Sequence, residues 1–299
     1  MSVNVEPTGP RRVTLRTLRQ MAARREPFAC LAAYDATMAR WLDRAGVHVL
    51  LAGDSAAQVV LGYDRTTDMP LEIMIALTAA LRRGASQALV MADMPFMSYH
   101  ASDASAMRNA GRFMTEGQAD VVKLEVDAQH AGLVRKLSRA GIPVCAHVGL
   151  RPQMVAMEGQ YRAAGRTAKE AAALVRDAMA MEDAGAALLL VEAVPEAVSD
   201  AIMAHTSLPL IGIGAGAGCH GQILVVHDLL GLSDVPPRFA VPVLKLGEAI
   251  RDAASMWVQR VAAKQMGGEG YGMLEGELAK LSEAVRDALI ERNQKSGPR

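Results

Sequence analysis

Residues 183–194 read Asp183-Ala184-Gly185-Ala186-Ala187-Leu188-Leu189-Leu190-Val191-Glu192-Ala193-Val194. A glycine suited to the left-handed residue that follows a helix comes first, then a short apolar run, then a carboxylate. The pattern recurs along the chain. Arg44-Ala45-Gly46 precedes VHVLLAGD, Arg83-Gly84 leads to ALVMADMP, Glu116-Gly117 precedes DVVKLEV, and Arg139-Ala140-Gly141 precedes IPVCAHVGL. Apolar runs of this length are expected of parallel strands buried on both faces. Reading outward gives eight strand candidates, at 28–35, 47–54, 88–94, 120–126, 143–149, 187–194, 208–214 and 221–227.

Helix signals fill most intervals between them. Met38, Trp41, Leu42 and Ala45 follow i, i+3, i+4, i+7 spacing, and Thr167 with Glu170 forms a capping box. Pro195 stands where a helix would take its first residue. Strict alternation of strand and helix predicts an α/β fold, a (β/α)8 TIM barrel in preference to an open doubly wound sheet. The interval between strands seven and eight is too short for a full helix. A helix over 14–25 precedes the barrel and two more, over 243–265 and 274–293, follow it within the C-terminal region 243–299. The 299 residues are therefore expected to form a single domain, with a flexible lead over 1–13 and core elements over 28–232.

Composition narrows the function classes. Lys plus Arg and Asp plus Glu number 32 each, so the chain lacks the basic footprint of a nucleic-acid binder. Zero formal charge also leans towards self-association. No apolar run approaches a membrane span, and the N-terminus has no signal-peptide core. Cys30, Cys145 and Cys219 are far apart and odd in number, as in a reducing, cytoplasmic setting.

Barrel chemistry sits at the C-terminal ends of strands. Those ends carry Tyr34 and Asp35, Asp54 and Ser55, Asp93, Lys123 and Glu125, His147, Glu192, then His227 and Asp228. Asp35 is expected to cap a helix, and Asp228 to be a turn or cap residue. Charged or titratable groups on five successive strands exceed what capping explains. Asp54, Asp93 and Glu125 come from adjacent strands, and hard oxygen donors favour Mg2+ or a similar cation; a salt-bridge cluster with Lys123 is the bland alternative. Glu192, in apolar company, suits a base that removes a carbon-bound proton, unless Arg151 or Arg162 pairs with it. His147 suits a substrate hydrogen bond or a proton relay, and Lys123 a substrate carboxylate or oxyanion. Gly216-Ala217-Gly218-Cys219-His220-Gly221 matches GxGxxG, but a strand follows it, so it is not a dinucleotide fingerprint. The loop 150–166, with three arginines, is a candidate lid.

In these residues the chain resembles the ketopantoate (3-methyl-2-oxobutanoate) hydroxymethyltransferases of the phosphoenolpyruvate mutase/isocitrate lyase superfamily. The matching stretches include LLAGDSAAQVVLGYD, ADMPFMSY, NAGRFMTEGQADVVKLE, GIPVCAHVGLRPQ, EDAGAALLLVEAVP and IGIGAGAGCHGQILVVHDLLGL. The resemblance implies hydroxymethyl transfer from 5,10-methylenetetrahydrofolate to a 2-oxo acid on the way to pantothenate. It implies Mg2+ held by Asp54 and Asp93 with support from Glu125, substrate contacts from Ser55, Lys123 and His147, and Glu192 as base. It also implies a homo-oligomer, up to a decamer. Departures are GDSAAQ for GDSLGM, KLEVD for KLEGG, Cys219-His220-Gly221-Gln222 for CDGQ, and EGQYRAAGR for GGYKVQGR. A relative acting on another 2-oxo acid, or a non-catalytic metabolite-binding barrel, are the other readings.

Overall fold

The computed structural model describes residues 12–159 and 162–295. Its core is a closed barrel of parallel strands in sequence order: β1 (Phe28–Ala32), β2 (Val49–Ala52), β3 (Leu89–Asp93), β4 (Val121–Glu125), β5 (Val144–Gly149), β6 (Leu188–Glu192), β7 (Leu210–Ile213) and β8 (Gly221–Val225). All eight expected strands are present, each shorter than its apolar run. The helices are α1 (Leu15–Ala23), α2 (Ala36–Arg44), α3 (Ala56–Val59), α4 (Leu71–Gly84), α5 (Asp103–Thr115), α6 (Ala131–Arg139), α7 (Val155–Glu158), α8 (Ala168–Asp183), α9 (Glu196–His205), α10 (Val226–Leu229), α11 (Leu246–Ala262) and α12 (Glu277–Lys295). As expected, β7 passes to β8 without a helix.

Contacts divide the chain into two compact units, 1–247 and 248–299. The first holds the barrel. The second holds most of α11 and all of α12, and neither helix has a buried residue. Residues 1–11 of the expected flexible lead lie outside the described residues. Arg12 and Val13 depart from that expectation, because Arg12 pairs with Asp120 and the Val13 amide donates to Gln87 O.

Strands β3 and β4 are buried along their whole length, which is why their sequences lack polar alternation. Helix starts follow local chemistry. Asp35 caps α2 by accepting from the Thr37 and Met38 amides, and Thr167 with Glu170 closes the capping box of α8. Pro195 sits one residue ahead of α9 rather than at its first position.

Two expectations need correction. Trp41 shares the periodicity of Met38 and Leu42 but is 63% exposed, with the Arg44 guanidinium over its ring. Among the junction glycines, Gly46, Gly141 and Gly185 are left-handed, but Gly84 and Gly117 are not. At Gly84 a Cβ would stand 2.4 Å from Ala36 O, so the glycine serves the close approach of α4 to α2.

One polar tie fixes α2 against the start of β3. Asp43, 8% exposed, accepts from the Ser86 amide and hydroxyl, the Gln87 amide and the Ala88 amide. Burial opposes its ionisation, but these donors outweigh it and hold the carboxyl below its ordinary range. Replacing Asp43 by Ala is expected to cost about 2–3 kcal/mol in urea unfolding at neutral pH, because buried amides lose an ionised acceptor. A depressed folded-state pKa means this stabilisation is present above the unfolded value and lost as pH falls through the folded one. The difference between wild type and Asp43→Ala therefore shrinks in acid.

Candidate active site

Strand register delivers the polar residues to one end of the barrel. Asp93 of β3 is level with Lys123 of β4, and Glu125 is level with His147 of β5. Lys123 and Glu125 are two apart, so they share a face. Together with Asp54, Ser55 and Glu192 they line a cavity of about 770 Å3, floored by Ala32, Leu51, Leu190, Ile213 and Ile223. All seven residues singled out in the sequence thus reach one cavity.

Lys123 Nζ donates to both oxygens of Asp93, at 2.7 and 2.8 Å, and both residues are almost fully buried. The Asp54 amide donates to Asp93 Oδ2 at 3.2 Å. Burial works against the charge of Lys123, yet Asp93, Asp54 and Glu125 outweigh it and raise its pKa above the usual lysine value. Asp54 is pushed up to about 7 by burial and by the charge of Asp93. Glu125 is also raised, by burial and then by Asp54 and Asp93, against the pull of Lys123.

His147 lies between two of these carboxylates. Its Nδ1 is 3.8 Å from Glu125 Oε1 and its Nε2 is 3.5 Å from Glu192 Oε2. Both ring nitrogens and Glu125 Oε1 are buried without a hydrogen-bond partner. Burial, with Lys123 and Arg151 nearby, holds its pKa well below the ordinary value, so the ring is a neutral hydrogen-bonding group. Glu192 is pushed up to about 7, chiefly by burial. Neither arginine weighed as its partner pairs with it. Arg151 donates to Asp127, and Arg162 lies 3.8 Å from Glu170.

Two residues escaped the sequence reading, and a third, Tyr34, stood there as a polar strand-end residue without a role. Gln153, 2% exposed, donates its amide to Glu125 Oε2 and its side-chain NH2 to Asp54 Oδ2 and Met94 O. The Tyr99 hydroxyl donates to its Oε1 at 2.9 Å. The described start of the supposed lid is thus pinned into the site. Tyr34 is the third, its hydroxyl 2.8 Å from Ser55 Oγ. Only the glutamine of GLRPQ signalled any of this, as an uncharged polar residue beside a proline turn. Asp228 needs correction too. It lies inside α10, 8% exposed and lining the cavity, where it caps nothing.

Around Lys123 stand Asp54, Asp93, Glu125 and Glu192, which leaves negative charge for a bound cation to balance. Among the described residues, no three His, Cys, Asp or Glu side chains are grouped to hold an ion alone. The donor set fits a hard cation of the Mg2+ kind, which takes one or two carboxylates and completes its shell with water and substrate oxygens.

Replacing Gln153 by Ala strips donors from Asp54 and Met94 O while leaving the backbone bond to Glu125. A loss of about 1–3 kcal/mol in urea unfolding is expected.

The profile of the family described as Ketopantoate hydroxymethyltransferase matches residues 12–269. The chain is 44% identical to the 3-methyl-2-oxobutanoate hydroxymethyltransferase of Hyperthermus butylicus, over 93% of this chain and 97% of that one. It is also 44% identical to the enzyme of the same name from Halorhodospira halophila, over 87% and 94%. Among solved structures, 2,3-dimethylmalate lyase, a PEP mutase/isocitrate lyase superfamily member, aligns with a TM-score of 0.55 at 18% identity, covering 95% of this chain and 100% of that one. Phosphonopyruvate hydrolase in complex with oxalate and Mg++ aligns at 0.56 and 14% identity, covering 94% and 97%. These two likenesses show the shared fold.

Proposed function

The chain belongs to the ketopantoate hydroxymethyltransferase family, and on that premise we propose that it transfers a hydroxymethyl group to 3-methyl-2-oxobutanoate, giving 2-dehydropantoate for pantothenate synthesis. The donor is 5,10-methylenetetrahydrofolate, and with water the products balance as 2-dehydropantoate and tetrahydrofolate. One observation carries the mechanism. Glu192, held near neutrality by burial, faces the same cavity as Lys123 and a cluster of carboxylates.

Glu192 removes the C3 proton of the 2-oxo acid, for which a carboxylate of raised basicity is suited. The C3 carbon of the enolate then forms the new bond to the one-carbon unit, whose two bonds to the folate nitrogens break as water supplies the hydroxyl oxygen. The proton from C3 and one from water end on those nitrogens. Lys123 has three donor protons, and two are engaged by Asp93, so the third is free for a substrate oxygen. Ser55, set by Tyr34, and neutral His147 supply further hydrogen bonds that orient the acid. Asp54 and Asp93 would hold Mg2+, with Glu125 in support through water. Bound there, the ion would withdraw charge from the 2-oxo acid and ease its ionisation. The apolar floor of Leu51, Leu190 and Ile213 fits the branched alkyl end.

A cytoplasmic setting and homo-oligomeric assembly belong to the same reading. The three cysteines are buried free thiols, and α11 and α12 expose apolar side chains such as Trp257 and Leu289. No helix among the described residues is long and apolar enough to cross a membrane.

Proton NMR in D2O tests the base. With Mg2+ and 3-methyl-2-oxobutanoate, the C3 proton is expected to exchange, and Glu192→Gln to abolish exchange while still binding the acid. A base must be ionised to act, so exchange should rise with pH through about 7 and then level off. Chelation of divalent ions should suppress it. Exchange that survives in Glu192→Gln would overturn the assignment.

A further inference from the structure

The cavity has the volume of one that encloses a drug-sized ligand, and a five-carbon acid fills only part of it. Beyond the carboxylates at the strand ends, its wall is made by His227 and Asp228 of α10, which follows β8, and by the segment 232–239. Phe239, 39% exposed, lies over Gly214 at the end of β7, where a Cβ would stand 2.5 Å from its ring. The glycine, at φ +57°, makes room for that ring.

Asp228 is the anomaly in this wall. It is 92% buried, yet its carboxylate accepts no hydrogen bond and joins no ion pair among the described residues. It does not cap α10, whose start is Val225 with no side-chain cap. Neighbouring His227, whose ring centroid is 5.4 Å from that of Tyr34, has a buried Nδ1 that also lacks a partner. A carboxylate that lines the cavity without a donor from the protein is open to the N–H groups of a ligand. Ser233, Asp234 and Arg238 share this wall with the apolar Val235, Pro237 and Phe239. A flat ring with N–H groups along one edge satisfies both surfaces, its edge on the carboxylate and its face on the phenyl ring.

We infer that Asp228 and Phe239 form the binding site for the one-carbon donor, the carboxylate accepting paired N–H groups from an amino-substituted nitrogen heteroaromatic ring. This rests on the proposed reaction, whose donor carries an amino group beside a ring N–H. The site leaves the acid at Lys123 and the donor ring at β8, with the bond-forming carbons between them.

Titration calorimetry with tetrahydrofolate, which lacks the transferable carbon, tests the inference on the full chain. Asp228→Asn keeps the shape but replaces one of the two acceptor oxygens by an NH2 donor. It should weaken tetrahydrofolate at least about tenfold and raise the KM for 5,10-methylenetetrahydrofolate similarly, with less than about a threefold change in KM for the acid. Phe239→Ala, at a half-exposed position that threatens folding less, should give the same one-sided loss; circular dichroism checks both variants. Unchanged tetrahydrofolate affinity in the folded variants would overturn the inference, as would equal losses for both substrates. A wild type that exchanges the C3 proton but binds no tetrahydrofolate sinks this inference alone. One that binds tetrahydrofolate without exchanging the proton leaves the inference standing and overturns the proposed base.

Discussion

The ammonium of Lys123 sits where ions are costly, among strand ends whose neighbours are leucine, isoleucine and valine, and both oxygens of Asp93 lie within 2.8 Å of it. Its removal would leave Asp93 as an uncompensated buried charge. Its presence does not neutralise the rest. Asp54 and Glu192 still stand near 7 and Glu125 higher than its ordinary value. The mouth is therefore held short of positive charge, able to take up either protons or a cation. That balance is what chemistry on a 2-oxo acid requires.

Backbone geometry maintains the balance. Gly149 is left-handed, and a Cβ there would stand 2.6 Å from Glu192 O, so β5 and β6 approach closely where the base is presented. Immediately after Glu192, Ala193 adopts φ 49°, which costs a residue with a Cβ roughly 1–2 kcal/mol. The Ala193 amide donates to Ile213 O and its carbonyl accepts from Ala164, so the neighbouring chain holds the turn in place. Strain of this kind, at the residue following the candidate base, fixes the direction of its side chain.

The barrel was legible because each strand carries the same local statement, a helix stop followed by an apolar run. Its limits lay where one residue type serves two physical purposes. Gly84 reads as a helix stop but serves helix packing, and Trp41 keeps helical period while lying against Arg44 in solvent. In the site, charged residues at strand ends announced themselves, since burying them needs a reason. Gln153 did not, because an amide in a loop is unremarkable until its partners on other strands are known. Asp228 misled for a related reason. Sequence alone does not separate an aspartate that caps a helix from one that lacks a donor.

The bond between Gln153 and Asp54 joins residues 99 apart, and that between Lys123 and Asp93 joins residues 30 apart. During synthesis, Asp93 is therefore made before the lysine that will neutralise it, a delay on the order of a few seconds at ordinary translation rates. Over that interval its carboxylate is solvated, and water is its best partner. Dehydration of the barrel mouth has to wait until the fifth strand and its following turn have arrived. Contacts of such long range also slow the search for the native state. The residues that give this barrel its chemistry thus lack a complete set of partners until well after they are made, whereas the apolar runs beneath them need only one another.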